Sequence, residues 1–170
     1  MPKEVDVNKY KEMYKLFLSK KNTAVISMKD DKGDPFSSCA PFILKDNNLY
    51  IYISEVASHY KYLVNNEQVD VMLTADQADS NNPFATERAR FSCHPEPVKD
   101  DEAVFDEFTN RFNPSLINML RKLGDFTLFR LTPINGRYVV GFGLAFDTTI
   151  DGSSFRHVVV DKNNKEGSLK

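Results

Sequence analysis

Two guanidinium groups, Arg88 and Arg90, follow a long polar stretch that begins at Ala75 and carries Phe84 near its exit. The stretch joins two strand-like runs, Val69–Thr74 and Arg88–Cys93. It is far longer than the two-residue turns that usually link paired strands. Arginines delivered by a loop onto a rigid strand suit recognition of a carboxylate or a phosphate. They suit equally a solvated loop whose charges pair with nearby carboxylates, and spacing alone favours that plainer reading. A second group lies at Ser54, Ser58, His59 and Lys61, where a strand runs into a helix. A helix N-terminus offers orphan N–H donors and the positive end of the helix dipole to an anion. A serine in this position also serves simply as a helix cap.

Other chemistries are poorly provided for. His59, His94 and His157 are scattered, with no i, i+4 pair of the kind that holds zinc on a helix, so no metal site is expected. There is no G-x-S-x-G elbow and no evident Cys–His–acid set for nucleophilic catalysis. Gly141-Phe142-Gly143 lacks the GxGxxG spacing of a phosphate loop and reads instead as a bulge or a close backbone approach. A net charge of −2 gives no long-range pull toward nucleic acid, so no such partner is expected. Cys39 and Cys93 form no CxxC motif, which fits a reducing, cytoplasmic compartment. The N-terminus lacks the apolar centre of a signal peptide, and no apolar run approaches the roughly 18 residues of a membrane span.

The elements that position these residues are legible from periodicity. The chain has 170 residues, 41% of them hydrophobic and 27% charged, enough for one packed domain over 1–170. Tyr10, Met13, Tyr14, Phe17 and Leu18 recur at helical steps, so residues 1–21 read as a segment built on an N-terminal helix. Short strands follow at Thr23–Met28, Pro35–Leu44 and Leu49–Ile53, separated by Asp-, Asn- and Gly-rich turns. Ser37, Ser38 and Cys39 sit in mid-strand, where small side chains suit close approach by a neighbour. Ala57–Asn65 reads as a helix. Pro95-Glu96-Pro97 is expected to break the strand that begins at Arg88. Two helices are expected as an insertion near 100–123, ended by Gly124. Asp125–Leu131 and Arg137–Thr149 read as a strand pair, with Pro133-Ile134-Asn135-Gly136 as the hairpin turn between them. A last strand, Phe155–Val160, precedes a polar tail at 161–170. Seven or so short strands with a few helices give a mainly β, α+β class, an antiparallel barrel over 22–160.

Against this background the run Val25–Phe42 resembles the opening of the pyridoxamine-5′-phosphate-oxidase-like, FMN-binding split barrels. Ser54–Asn66, Asn82–Phe91 and Asp125–Phe146 resemble, more narrowly, the haem-utilisation branch of HugZ/HutZ type. The similarity spans roughly Lys20 to Ile150. It implies a split β-barrel that forms a homodimer, with a small-molecule site at each end of the shared interface. That site holds FMN in the wider superfamily, and haem, degraded oxidatively, in the branch. By the resemblance, Arg88 matches the arginine near the ligand, His59 the histidine of the S-x-x-A-x-H stretch, and Asp125 the acid that orients a haem-ligating histidine. An acid beside an imidazole fixes its tautomer and raises its basicity. The branch takes its axial histidine from the C-terminal tail, and the corresponding Asp161–Gly167 has none. Lys61 stands where the relatives carry arginine, keeping the charge without the bidentate fork.

Three functions are therefore compatible with these residues. The first is a haem-binding protein that degrades haem. The second is a flavoprotein oxidoreductase holding FMN through Ser54, His59, Lys61 and Arg88. The third is a non-enzymatic carrier on the same scaffold.

Overall fold

The computed structural model describes residues 5–76 and 82–159. The first helix, α1 (Val7–Ser19), is capped by Asp6, whose carboxylate accepts from the Lys9 N–H, and it buries Tyr14, Phe17 and Leu18. Strands β1 (Thr23–Lys29), β2 (Pro35–Lys45) and β3 (Asn48–Ser54) then form an antiparallel meander. Asp46 and Asn47 turn between the last two with φ of 48° and 62°. That left-handed pair is the one a two-residue hairpin requires. Helix α2 (Ser58–Asn65) leads to β4 (Val69–Thr74), which pairs with β1.

The remaining strands close the sheet. β5 (Arg88–Val98) pairs with β4 on one side and with the 16-residue β6 (Phe126–Gly141) on the other. Helices α3 (Glu102–Arg111) and α4 (Pro114–Leu123) lie between them in sequence. The first half of β6 also pairs with β3, so the order β3-β2-β1-β4-β5-β6 returns on itself as a six-stranded antiparallel barrel. β7 (Leu144–Thr148) and β8 (Phe155–His157) extend from the second half of β6 as a wing. The expected mainly β barrel with helical additions is the fold observed.

Two expectations fail at prolines. The strand from Arg88 runs through Pro95 and Pro97 to Val98. β4 stops opposite Cys93, so beyond that point β5 has a partner on one side only and the prolines' missing donors face an open edge. The hairpin expected at Pro133–Gly136 is instead the middle of one continuous strand. β3 leaves β6 at Leu131 and β7 joins at Gly136, so Pro133 sits in the gap between partners, at a register shift opposite Ser92 and Cys93. Gly136 is needed there for packing, because a Cβ would lie 2.6 Å from the Phe91 ring. The turn proper is at Gly141–Gly143, beside a second register shift, so the expected strand Arg137–Thr149 is split between β6 and β7, and the last strand, expected from Phe155, stops at His157. The expected tail at 161–170 lies outside the described residues, as do residues 77–81 of the long polar stretch.

The core has two parts. Inside the barrel and under α1 lie Ile26, Ile51, Val71, Phe91, Phe129 and Tyr138, each fully buried. Outside it, Ile43, Tyr50 and Leu128 pack against Val104, Phe105 and Phe108 of α3 and Ile117 of α4. Arg111, at the C-terminal end of α3, ties this layer to α1 by donating to the carbonyls of Ser19 and Lys21 and to Asn22 Oδ1.

Candidate functional site

Alternation in a strand sends successive side chains to opposite faces. In β5, Ala89, Phe91 and Cys93 point into the barrel, so Arg88 and Arg90 point out of it. They join an outer surface that no helix covers among the described residues. Thr23, Val25 and Ser27 of β1 and Ser37, Cys39 and Pro41 of β2 are all exposed there. Across the sheet the register lines up Cys39, Val25, Met72, Arg90, Arg137, Asp147 and Arg156 in one row. Arg88 lies in the next row, opposite Thr74 and Val139, and its Nη1 donates to the Thr86 carbonyl at 3.0 Å. Its remaining donors make no hydrogen bond among the described residues. Phe84, held in a short 3-10 turn that Asn82 caps, is 86% exposed just ahead of it.

Ser54 and Asp125 form a second locus. Asp125 enters β6 directly after Gly124 closes α4 with a left-handed φ of 75°. Its Oδ2 accepts from Ser54 Oγ at 3.0 Å, and its carbonyl accepts from the Glu55 N–H at 2.7 Å. No donor among the described residues reaches Oδ1. Nearby, Tyr52 is pushed above its ordinary pKa by burial first, then by Asp100 and Asp125. Along α4, Leu116, Met119 and Leu123 form an apolar strip, each about half exposed.

The anion corner read from sequence is only partly assembled. The N-cap of α2 is Ala57 and no side chain caps it, so neither Ser54 nor Ser58 plays that role. His59 turns inward, its Nδ1 3.0 Å from Ser38 Oγ, and burial lowers its pKa. Lys61 does not join it. Two residues apart on a helix are roughly 200° apart around its axis, and Lys61 instead pairs with Asp31 in the β1–β2 turn.

The two loci are also far from one another. Ser54 lies opposite Phe126 and Arg88 opposite Val139. From 126 to 139 is thirteen steps along β6, a contour of roughly 40 Å. One ligand cannot touch both in a single chain. Sequence reasoning passed over Arg137, Asp147 and Arg156, which share a row with Arg90. Their alternation within β6, β7 and β8 was visible, but the misplaced hairpin at Pro133 hid the register that aligns them. Among the described residues no group of His, Cys, Asp and Glu is arranged to hold a metal ion, and no helix is long and apolar enough to cross a membrane.

Comparison with known proteins fits this geometry. A family model described as pyridoxamine 5′-phosphate oxidase matches residues 10–140. The heme oxygenase HutZ of Vibrio cholerae is 33% identical over 141 residues, 81% of this chain and 80% of that protein. The crystal structure of Campylobacter jejuni ChuZ superposes with a TM-score of 0.81 at 26% identity, covering 91% of this chain. This chain spans 64% of ChuZ, less than two thirds of its length. The crystal structure of Vibrio cholerae HutZ, described there as a haem storage protein, gives a TM-score of 0.67 at 31% identity over 72% of this chain and 88% of that one. The chain belongs to the pyridoxamine 5′-phosphate oxidase family.

Proposed function

We propose that this member of the family binds haem at two equivalent sites, each shared between two copies of the chain, in the service of haem utilisation. The kinship to proteins named for haem supports the choice of ligand. The observation that carries the shared site is the separation of Arg88 from Ser54 and Asp125 along β6. A two-fold dimer formed through the uncovered outer face would bring the Arg88 end of one chain toward the Asp125 end of the other. The small side chains of β1 and β2 suit the close approach of a second sheet, and an isologous contact uses the same patch twice.

The donor set fits an anionic, largely apolar ring system. Beyond its bond to Thr86, Arg88 has guanidinium donors that no described residue engages, and such forks bind carboxylate and phosphate alike. Phe84 and Phe142, 86% and 73% exposed, project near that end of the sheet and offer ring faces. At the other end, Ser54 fixes one oxygen of Asp125 and leaves the second to accept an N–H, as an acid does behind an imidazole. Haem, when bound, supplies iron-centred oxidation chemistry. Binding stands ahead of degradation in this reading, because Asp161–Gly167 carries no histidine for the iron. A second reading, FMN with its phosphate on Arg88, is favoured by the description of the family itself.

The absorption spectrum of the purified protein, before and after haemin is added, tests this. A Soret band that survives desalting at about one haem per chain is the expected result. Flavin-like bands in the protein as isolated would replace the haem reading with the second, and retention of neither ligand in excess would remove both.

A further inference from the structure

The row that contains Arg90 holds more positive charge than the described residues around it neutralise. Arg90 and Arg137 stand directly opposite each other on neighbouring strands, and Arg156 lies two strands beyond. Like charges in directly opposed positions repel. Asp147 sits between Arg137 and Arg156 and is shared by both: its Oδ1 accepts from Arg137 Nε and Nη2 at 2.9 and 2.8 Å, and its Oδ2 lies 3.4 Å from Arg156 Nη2. Among the described residues Arg90 has only a long contact, 3.5 Å, to Asp70, whose other oxygen is taken by Ser92 Oγ. Three guanidinium groups thus share two carboxylates, and each guanidinium has five N–H donors. They line an open cleft of about 700 Å³ with Thr149 and Ser154 at its rim. Arg88 points from the same face two residues away.

We propose that this cleft is an anion subsite in which Arg90, Arg137 and Arg156 together hold a phosphate or a pair of carboxylates, with Asp147 as the post that sets two of the forks. Both cofactors considered above end in such a group, the propionates of haem and the phosphate of FMN, so the identity of the occupant rests on the reading above while the site itself does not. Asp147 orients its arginines and also competes with the anion for them. Its neutral replacement therefore strengthens anion binding, whereas removing arginines weakens it.

Calorimetric titration with inorganic pyrophosphate, at low and at high salt, tests the site on the full chain. Arg137→Gln/Arg156→Gln is expected to weaken pyrophosphate binding by about tenfold or more, and Asp147→Asn to tighten it by about threefold. The opposite signs separate an anion site from a general loss of structure. Wild-type protein that takes up no pyrophosphate, or a double variant that binds it as well as wild type, overturns the proposal; the first result would mean that the arginines pair across the dimer. Haemin and its dimethyl ester identify the source. A preference for the free acid that the double variant loses assigns the subsite to propionates. Equal binding of the two forms, with pyrophosphate still bound, assigns it to a phosphate. If neither form of haemin binds while pyrophosphate does, the haem reading fails and the subsite remains.

Discussion

The barrel has two outer faces made by the same sheet, and the described residues cover one and leave the other open. Over β2, β3 and the first half of β6, helices α3 and α4 lay Val104, Phe105, Phe108 and Ile117 on Ile43, Tyr50 and Leu128. Over β1, the middle of β2, β4 and β5 the described residues place no such layer, and the surface mixes small, hydroxyl and charged side chains with Val25 and Met72. The strands record this difference in their own sequences. β1 is buried at every second residue, whereas β3 is buried or half-buried along its whole length. A strand flanked on both sides reads as a continuous apolar run, and one with a free face alternates. The open face is the one on which the proposed dimer rests, and the arginines placed there keep unused donors among the described residues.

The sharpest test of the difference is to damage the covered face. Phe105 is 2% exposed, stands edge-on to Tyr52 at 5.0 Å and lies 4.0 Å beneath the Arg121 guanidinium. Phe105→Ala is expected to cost about 3–5 kcal/mol in urea unfolding, and a loss under about 1 kcal/mol would mean that α3 is not anchored as described. On the open face the effect should move from folding to association. Val25→Asp, at the centre of the bare row, is expected to leave the far-ultraviolet spectrum intact and to weaken the dimer by at least about 30-fold in sedimentation experiments. A wild-type protein that sediments as a monomer, or a variant that dimerises normally, would break the assignment of that face.

Arg88→Ala should separate ligand from fold. Unfolding is expected to change by less than about 0.5 kcal/mol, while haemin affinity falls by about 5- to 150-fold, equivalent to 1–3 kcal/mol. A variant that binds as tightly as wild type would return Arg88 to the solvated-loop reading. The smallest effect distinguishes the two thiols by rate. Cys93 is fully buried and its pKa is pushed up to about 12, first by burial and then by Asp70, so it should be inert to a disulfide reagent at neutral pH. Cys39 lies exposed on the open face. It should react slowly in concentrated, dimeric protein and faster on dilution; a rate independent of concentration would argue against a partner at that position.

Much of the barrel could be read before any coordinates. The helix of residues 7–19, the ends of Val69–Thr74 and the stop at Gly124 follow from local rules of period, propensity and left-handed φ, which act within a few residues. Prolines misled because their effect depends on what stands beside them. Pro95, Pro97 and Pro133 all lie in strands, each where a neighbouring strand is missing, and no window of sequence reports that absence. The candidate site was legible as residue types only. Arg88, Ser54, His59, Lys61 and Asp125 were each singled out, yet only Ser54 and Asp125 touch.

What the sequence determined by itself is the helices, the strands up to Thr74, the faces of those elements that must be buried, and the family to which the chain is similar. These are carried by short-range periodicity and composition, which every stretch of chain holds locally. Tertiary structure alone decided which distant residues share a row, that Lys61 turns away to Asp31, and that Arg88 and Asp125 lie beside opposite ends of β6. The physical reason is register. A shift of one residue in strand pairing reverses every side chain, and pairing between strands far apart in sequence is fixed by the closed barrel as a whole.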